Sequence, residues 1–179
     1  MAVTCVTYAA DGWGTGAVWT DETGRVLFHE LPRPSPHPGW GPHPPPSLPR
    51  TLAPKRARVS VEIAPEVRRF VHSVEAYFRG DDVSFDDVEL DLDWCTPFQR
   101  AAAHALRRVP RGEVVTYAEL AALAGHPNAQ RAAGTFCAHN RFPLVVPCHR
   151  VVSAAGLGSF GELGTDYKRR LLRVEGVGL

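Results

Sequence analysis

Ten of the chain's sixteen prolines fall between positions 32 and 54, with Gly39 and Gly41 among them. Proline offers no amide hydrogen to a ladder or a helix and holds φ at about −65°, so no regular element runs through such a stretch. The run predicts an extended loop over 32–54, inserted between strands. Before it, Val3 to Tyr8, Gly16 to Thr20 and Arg25 to Leu31 are short β-prone runs, joined by Asp11-Gly12 and by Asp21 to Gly24. After it, Val67, Phe70, Val71, Val74 and Phe78 recur at helical spacing, which predicts a helix over Pro65 to Arg79 that Gly80 ends. Val83 to Leu92 alternates like a further strand. The expectation is an N-terminal α+β domain over 1–91 and a second domain over 92–179. With 179 residues, 44% of them hydrophobic, the chain can build one sizeable core or two small ones.

The second half has sharper punctuation. Thr96-Pro97-Phe98-Gln99 is a capping box with proline at the first helical position, opening a helix to about Val109. Thr116-Tyr117-Ala118-Glu119 is a second box, opening a short helix that stops at Gly125. His126-Pro127 predicts a tight turn, and Asn128 is the expected cap of a third helix to about His139. Two helices joined by a short Gly-containing turn make a helix-turn-helix candidate, although helical hairpins often only pack.

The formal net charge is +1, so charge alone does not mark a nucleic-acid binder. It is unevenly spread: residues 1–90 carry 9 Lys/Arg against 12 Asp/Glu, and residues 91–179 carry 11 against 7. The second half is therefore the better face for a polyanion. The cysteines are Cys5, Cys95, Cys137 and Cys148, and no pair has C-x-x-C spacing. The first seven residues lack the basic-then-apolar order of a secretory signal, and no apolar run approaches the roughly 20 residues that cross a bilayer. A monomeric cytoplasmic protein with reduced thiols and no membrane partner is expected.

Chemistry concentrates between Pro143 and Val152, read as Pro-Leu-Val-Val-Pro-Cys-His-Arg-Val-Val. Cysteine attacks as its thiolate, and a free thiol is largely protonated near neutrality. A neighbouring base removes that obstacle, and a carboxylate can orient the base. His149 is the nearest base, although neighbours in a strand face opposite ways, so contact with Cys148 needs a turn or a bridging water. The competing reading makes Cys148 an inert buried apolar residue.

The hexapeptide Pro147-Cys148-His149-Arg150-Val151-Val152 resembles the active-site signature of the O6-alkylguanine-DNA alkyltransferases. The resemblance runs from about Thr96 to Gly176. It takes in Thr96-x-Phe98-Gln99, Pro110-x-Gly112, Thr116-Tyr117-x-x-Leu120-Ala121, Gly125-x-Pro127 and Arg131-Ala132-x-Gly134. It continues through Asn140 to Lys168-x-x-Leu171-Leu172-x-x-Glu175-Gly176. The N-terminal half resembles the family only in its order of strands and helix. The implied fold is α+β, a small ribonuclease-H-like N-terminal domain beside a helical, winged-helix-like C-terminal domain.

The resemblance also implies a function: single-turnover repair of double-stranded DNA, with the alkyl group of O6-alkylguanine moved irreversibly onto Cys148 and no diffusible cofactor. It implies that His149 acts as base through a water, steered by Glu175, and that Asn140 braces the helix-turn-helix against the active-site loop. Tyr117 would help rotate the nucleotide out and protonate the leaving guanine. Arg131 would fill the gap left in the duplex, with the small residues Ala132, Ala133 and Gly134 letting the helix approach the groove. Flipping gives the thiol access to a base otherwise stacked. Pro143, Val151, Ser159 and Phe160 are the expected guanine-pocket residues, and Arg100, Arg107, Arg108 and Arg141 are candidate phosphate contacts.

Two departures matter. Where the family has Gly-Tyr followed by Gly, this chain reads Gly158-Ser159-Phe160-Gly161, an aromatic one position early without its hydroxyl. Some members bind zinc in the N-terminal domain. Cys5 and His29 are the two possible ligands here, but with no second pair for a tetrahedral site no metal is expected. The alternative function is a non-catalytic DNA-binding sensor of alkylation damage, against which the intact Cys148 and His149 argue. A regulator would need extra domains, and a Cys-His hydrolase would leave Arg131 and Tyr117 unexplained.

Overall fold

The computed structural model describes residues 3–34 and 63–179, so the expected loop lies outside the described residues from position 35 to 54. Two compact units, Met1–Asp91 and Leu92–Leu179, make up the chain. Helices and an antiparallel sheet together give a mixed α and β fold.

In the first unit, β1 (Thr4–Ala10), β2 (Gly14–Thr20) and β3 (Val26–Arg33) form an antiparallel sheet in that order. Val6 pairs Val18 and Val18 pairs His29, so these three share one face; Cys5 pairs Trp19 and Trp19 pairs Phe28 on the other. Helix α1 (Pro65–Arg79) lies on the Val18 face, where the Phe70 and His29 rings meet edge to face at 5.4 Å. Proline at its first turn starts α1. Gly80, at φ 98°, ends it, with the Asp81 amide reaching back to the Ala76 carbonyl. Tyr8 crosses the sheet to bond His29 Nε2 at 2.8 Å and donates to the Glu30 carbonyl. A Cβ on Gly16 would stand 2.4 Å from the Tyr8 ring, so that crossing requires glycine.

Three expectations are corrected here. Pro32 belongs to β3 rather than to the loop, because it sits on an outer strand at a register shift between Thr15 and Ala17, where the missing amide costs no ladder bond. Val83 to Leu92 is not a strand; it makes a single parallel bridge, Leu90 with Val26. Ser84 and Asp86 bond each other instead, through Oγ to Oδ2 at 2.8 Å and the Asp86 amide to Ser84 Oγ at 3.1 Å, a local pairing that displaces the ladder. Asn128 does not cap the third helix, as described below.

The second unit begins with α2 (Pro97–Arg107), whose capping box is formed: the Gln99 amide donates to Thr96 Oγ1 at 3.3 Å and the Thr96 amide to Gln99 Oε1 at 2.9 Å. Then come β4 (Val115–Thr116) and α3 (Tyr117–Leu123), whose box pairs Thr116 with Glu119. Helix α4 (Gln130–Ala138) follows and packs on α3 through Leu120, Ala121, Ala133 and Phe136, all buried. Its N-cap is Ala129 with no side-chain cap bond. Asn128 instead takes φ 75° in the turn, a left-handed conformation that asparagine tolerates. A 3-10 turn, Cys148–Arg150, leads into β5 (Val151–Val152), which pairs parallel with β4. Helix α5 (Gly164–Val174) buries Lys168, Leu171 and Leu172.

Candidate active site

Cys148 owes its position to Pro147. With φ −78° and ψ 68°, Pro147 centres an inverse γ-turn closed by the Cys148 amide on the Val146 carbonyl at 2.8 Å. The same carbonyl accepts from Asn140 Nδ2 at 2.7 Å, while Asn140 Oδ1 takes the Phe142 amide at 3.0 Å. Asn140 thus ties the end of α4 to the approach to the cysteine. Leu144 in that approach holds φ 72°, a conformation costing a non-glycine residue about 1 kcal/mol.

Because Cys148 and His149 share a 3-10 turn rather than a strand, their side chains are not forced to opposite faces. Both are buried, at 7% and 0% exposure. His149 Nε2 meets Glu175 Oε1 at 2.7 Å, and Glu175 directly follows α5. Arg150 approaches the same carboxylate side-on, Nε to Oε2 and Nη2 to Oε1, both 2.9 Å, and its Nη1 donates to the Val109 carbonyl at 2.7 Å. Burial alone would push the Glu175 carboxyl up, but hydrogen bonds from His149 and Arg150 outweigh it and hold the group far below the carboxylate range. Burial pulls His149 down, against the Glu175 bond and charge. The imidazole therefore rests neutral, and donating a hydrogen bond from Nε2–H to Glu175 leaves the lone pair on Nδ1. Burial raises the Cys148 thiol, and the Asn140 side chain and the Lys168 charge work the other way. The resting pair is a thiol beside a neutral base.

Pairing of β4 with β5 sets Tyr117, the first residue of α3, beside the chain that leaves Cys148. A Cβ on Gly158 would lie 3.2 Å from the Tyr117 hydroxyl, so that glycine leaves room for the ring, whereas one on Gly134 would make only an ordinary contact at 3.9 Å. Tyr117 is raised by burial first, with the Ser159 hydroxyl bond offsetting part of the shift. Arg131 and Ala132 stand exposed on α4.

The remaining site residues divide. Pro143 is half-buried in the approach loop, and Ser159 is exposed. Ala133 is 0% exposed and packs inside the α3–α4 pair, so it cannot meet a groove. Val151 is also fully buried; it pairs Val115 in the small sheet and belongs to the core. Phe160 stacks on Tyr167, ring centres 6.2 Å apart and planes 17° apart, which occupies one of its faces. Arg141 lies 3.9 Å over the Trp94 ring, and Arg100 donates to the Leu92 carbonyl, so neither extends freely into solvent. Cys5 and His29 sit on opposite faces of the sheet and cannot share an ion. Among the described residues no group of three or more His, Cys, Asp or Glu could hold a metal.

Two residues of the site were not assigned roles from sequence. Arg150 lies inside the recognised motif, but its side-chain direction depends on the turn. Lys168 is fully buried, with Nζ donating to the Val151 and Leu157 carbonyls at 2.5 Å. Its signal was present: Lys168, Leu171, Leu172 and Glu175 form an i, i+3, i+4, i+7 stripe, which places the lysine on the buried face.

Comparisons with known proteins identify the family. Residues 97–177 match the family model described as 6-O-methylguanine DNA methyltransferase, DNA binding domain. A methylated-DNA–protein-cysteine methyltransferase of Methanopyrus kandleri is 44% identical over 114 residues, covering 61% of this chain and 83% of that protein. One of Methanothermobacter thermautotrophicus is 38% identical over 113 residues, and the match spans 63% of each chain. The crystal structure of Mycobacterium tuberculosis OGT in complex with DNA superposes with a TM-score of 0.68 at 29% identity, covering 97% of this chain and 91% of that one. Among the described residues no helix is long and apolar enough to cross a membrane. The chain belongs to the O6-methylguanine-DNA methyltransferase family, that of the methylated-DNA–protein-cysteine methyltransferases.

Proposed function

We propose that this protein repairs DNA directly, moving the alkyl group of O6-alkylguanine in double-stranded DNA irreversibly onto Cys148. The observation that carries the proposal is the buried Cys148 thiol on one turn with His149, whose Nε2 is held 2.7 Å from Glu175. His149 takes the thiol proton through an intervening water. Cys148 Sγ then attacks the alkyl carbon, the carbon–O6 bond breaks, and its electron pair leaves on the guanine. Tyr117, kept protonated by burial, supplies a proton to that anion. The products are a thioether and an unmodified guanine, so each molecule acts once, and no cofactor enters the balance.

Access requires the damaged nucleotide to leave the stack, at a cost of a few kcal/mol that is smallest for a poorly paired base. Exposed Arg131 on α4 suits insertion into the space left behind, because a planar, permanently charged group can stack between base pairs. Binding rests mainly on phosphates and weakens with salt. A nucleophilic thiol works only while reduced, which fits a cytoplasmic setting.

Intact and peptide mass spectrometry after incubation with duplex DNA carrying O6-methylguanine tests the proposal, with Cys148→Ser alongside. One methyl group per protein on Cys148, and none on the variant, is the expected result. Lesion binding without modification would overturn it in favour of a damage sensor.

A further inference from the structure

The turn that carries Cys148 and His149 ends in Arg150, whose side chain folds back onto the carboxylate that holds the histidine. Its two bonds to Glu175 run side by side at 2.9 Å, and a third, to the Val109 carbonyl, fixes the guanidinium itself. A planar fork of this kind fixes the rotation of a carboxylate as well as its position. Oε1 is thereby aimed at His149 Nε2. The pair is largely out of water, with side-chain exposures of 13% for Arg150 and 0% for Glu175, so its charges are screened less than those of a surface pair.

The charged and titratable groups around His149 are Glu175, Arg150, Lys168 from α5 and the Cys148 thiol. Arg111 adds a cation at the end of α5 through its bond to the Val174 carbonyl. Glu175 draws a proton towards the imidazole, while Arg150 and Lys168 oppose it.

We propose that Arg150 is a positioning residue of alkyl transfer: its guanidinium orients the Glu175 carboxylate and offsets its charge, so that His149 rests as a neutral base with Nε2 protonated. The proposal rests on the reading that Cys148 is the acceptor and His149 its base. Without Arg150, the Glu175 charge would favour the imidazolium, and the base would be lost at a higher pH.

The test compares full-length wild type, Arg150→Met and Arg150→Lys. Single-turnover methyl transfer from an O6-methylguanine duplex is measured against pH, His149 is titrated by 15N NMR in unreacted protein, and thermal midpoints are recorded. In Arg150→Met the acid limb of the rate profile and the His149 titration should both move up by about one pH unit. Arg150→Lys keeps the charge and loses the fork; its limb should stay in place while its plateau falls about threefold or more. A Met variant slowed equally at every pH, with the His149 titration unmoved, would reduce Arg150 to a structural brace. Should that variant not fold, the Lys variant decides, and an unchanged plateau overturns the proposal. Failure of wild type to methylate Cys148 would instead sink the transfer reading, and the NMR titration would still report what Arg150 does to His149.

Discussion

Glu175 illustrates how much a single residue can carry at this site: it receives His149, Arg150 and, at 3.5 Å, the Gly112 amide. Replacing it by glutamine keeps the shape and removes the charge. Arg150 is then left as a buried cation without its anion, a change that costs about 3 kcal/mol, and His149 loses the group that holds its tautomer. Glu175→Gln should therefore slow methyl transfer by about 10²-fold or more, read by single-turnover kinetics, while lowering the thermal midpoint. A variant within a few-fold of wild type would remove Glu175 from the mechanism. Arg131→Ala should behave differently. Standing exposed on α4, it should weaken transfer from duplex DNA while leaving the slow reaction with free O6-methylguanine base unchanged, since the free base needs no flipping. Equal losses with both substrates would contradict that role.

At the scale of elements, the short helices depend on their ends. Helix α3 has 7 residues and owes its start to the Thr116–Glu119 box, whereas α4 begins at Ala129 with no side-chain cap. Thr116→Ala should cost about 1 kcal/mol in urea denaturation. Asn128→Gly should cost a few tenths at most, because glycine accepts the φ of 75° there. A larger loss would show that the Asn128 side chain itself holds the turn. Thr116 also precedes Tyr117, so its loss should loosen the ring that β4 and β5 bring to the cysteine segment.

For the molecule as a whole, the buried groups bound the pH range of stability. His149 and Glu175 are both depressed in the folded state. Below their unfolded values of about 6.5 and about 4.3 the unfolded chain binds protons that the native state refuses, so stability falls as pH drops. Cys148, Cys137 and Tyr117 are raised by burial, and Cys5 is pushed up to about 12. The thiol contributions are complete below the unfolded value of about 8.5 and are lost progressively above it, and that of Tyr117 is lost only above about 10. Urea midpoints measured across pH should rise from acid to neutral and fall again in alkali. Replacing His149 by glutamine should flatten the part of the acid limb near pH 6 or so. An acid limb unchanged by that replacement would assign it to other groups.

The sequence by itself determined most of the elements and singled out the candidate residues of the site. Capping boxes at Thr96 and Thr116, proline at position 65 and the Pro-Cys-His-Arg run are local signals, and local backbone preference decides them wherever they occur. The failures also have local causes. Pro32 entered a strand because it met an edge and a bulge, and Val83 to Leu92 stayed out of one because Ser84 and Asp86 bonded each other. What only the tertiary structure decided was direction and burial. Periodicity does not say that Arg150 turns back to Glu175, 25 residues away in the chain, that Ala133 faces inward, or that Cys5 and His29 lie on opposite faces of their sheet. Each of these is set by how distant segments pack, because a charge such as Lys168 or Arg150 is stable in a core only when the fold brings its partners to it.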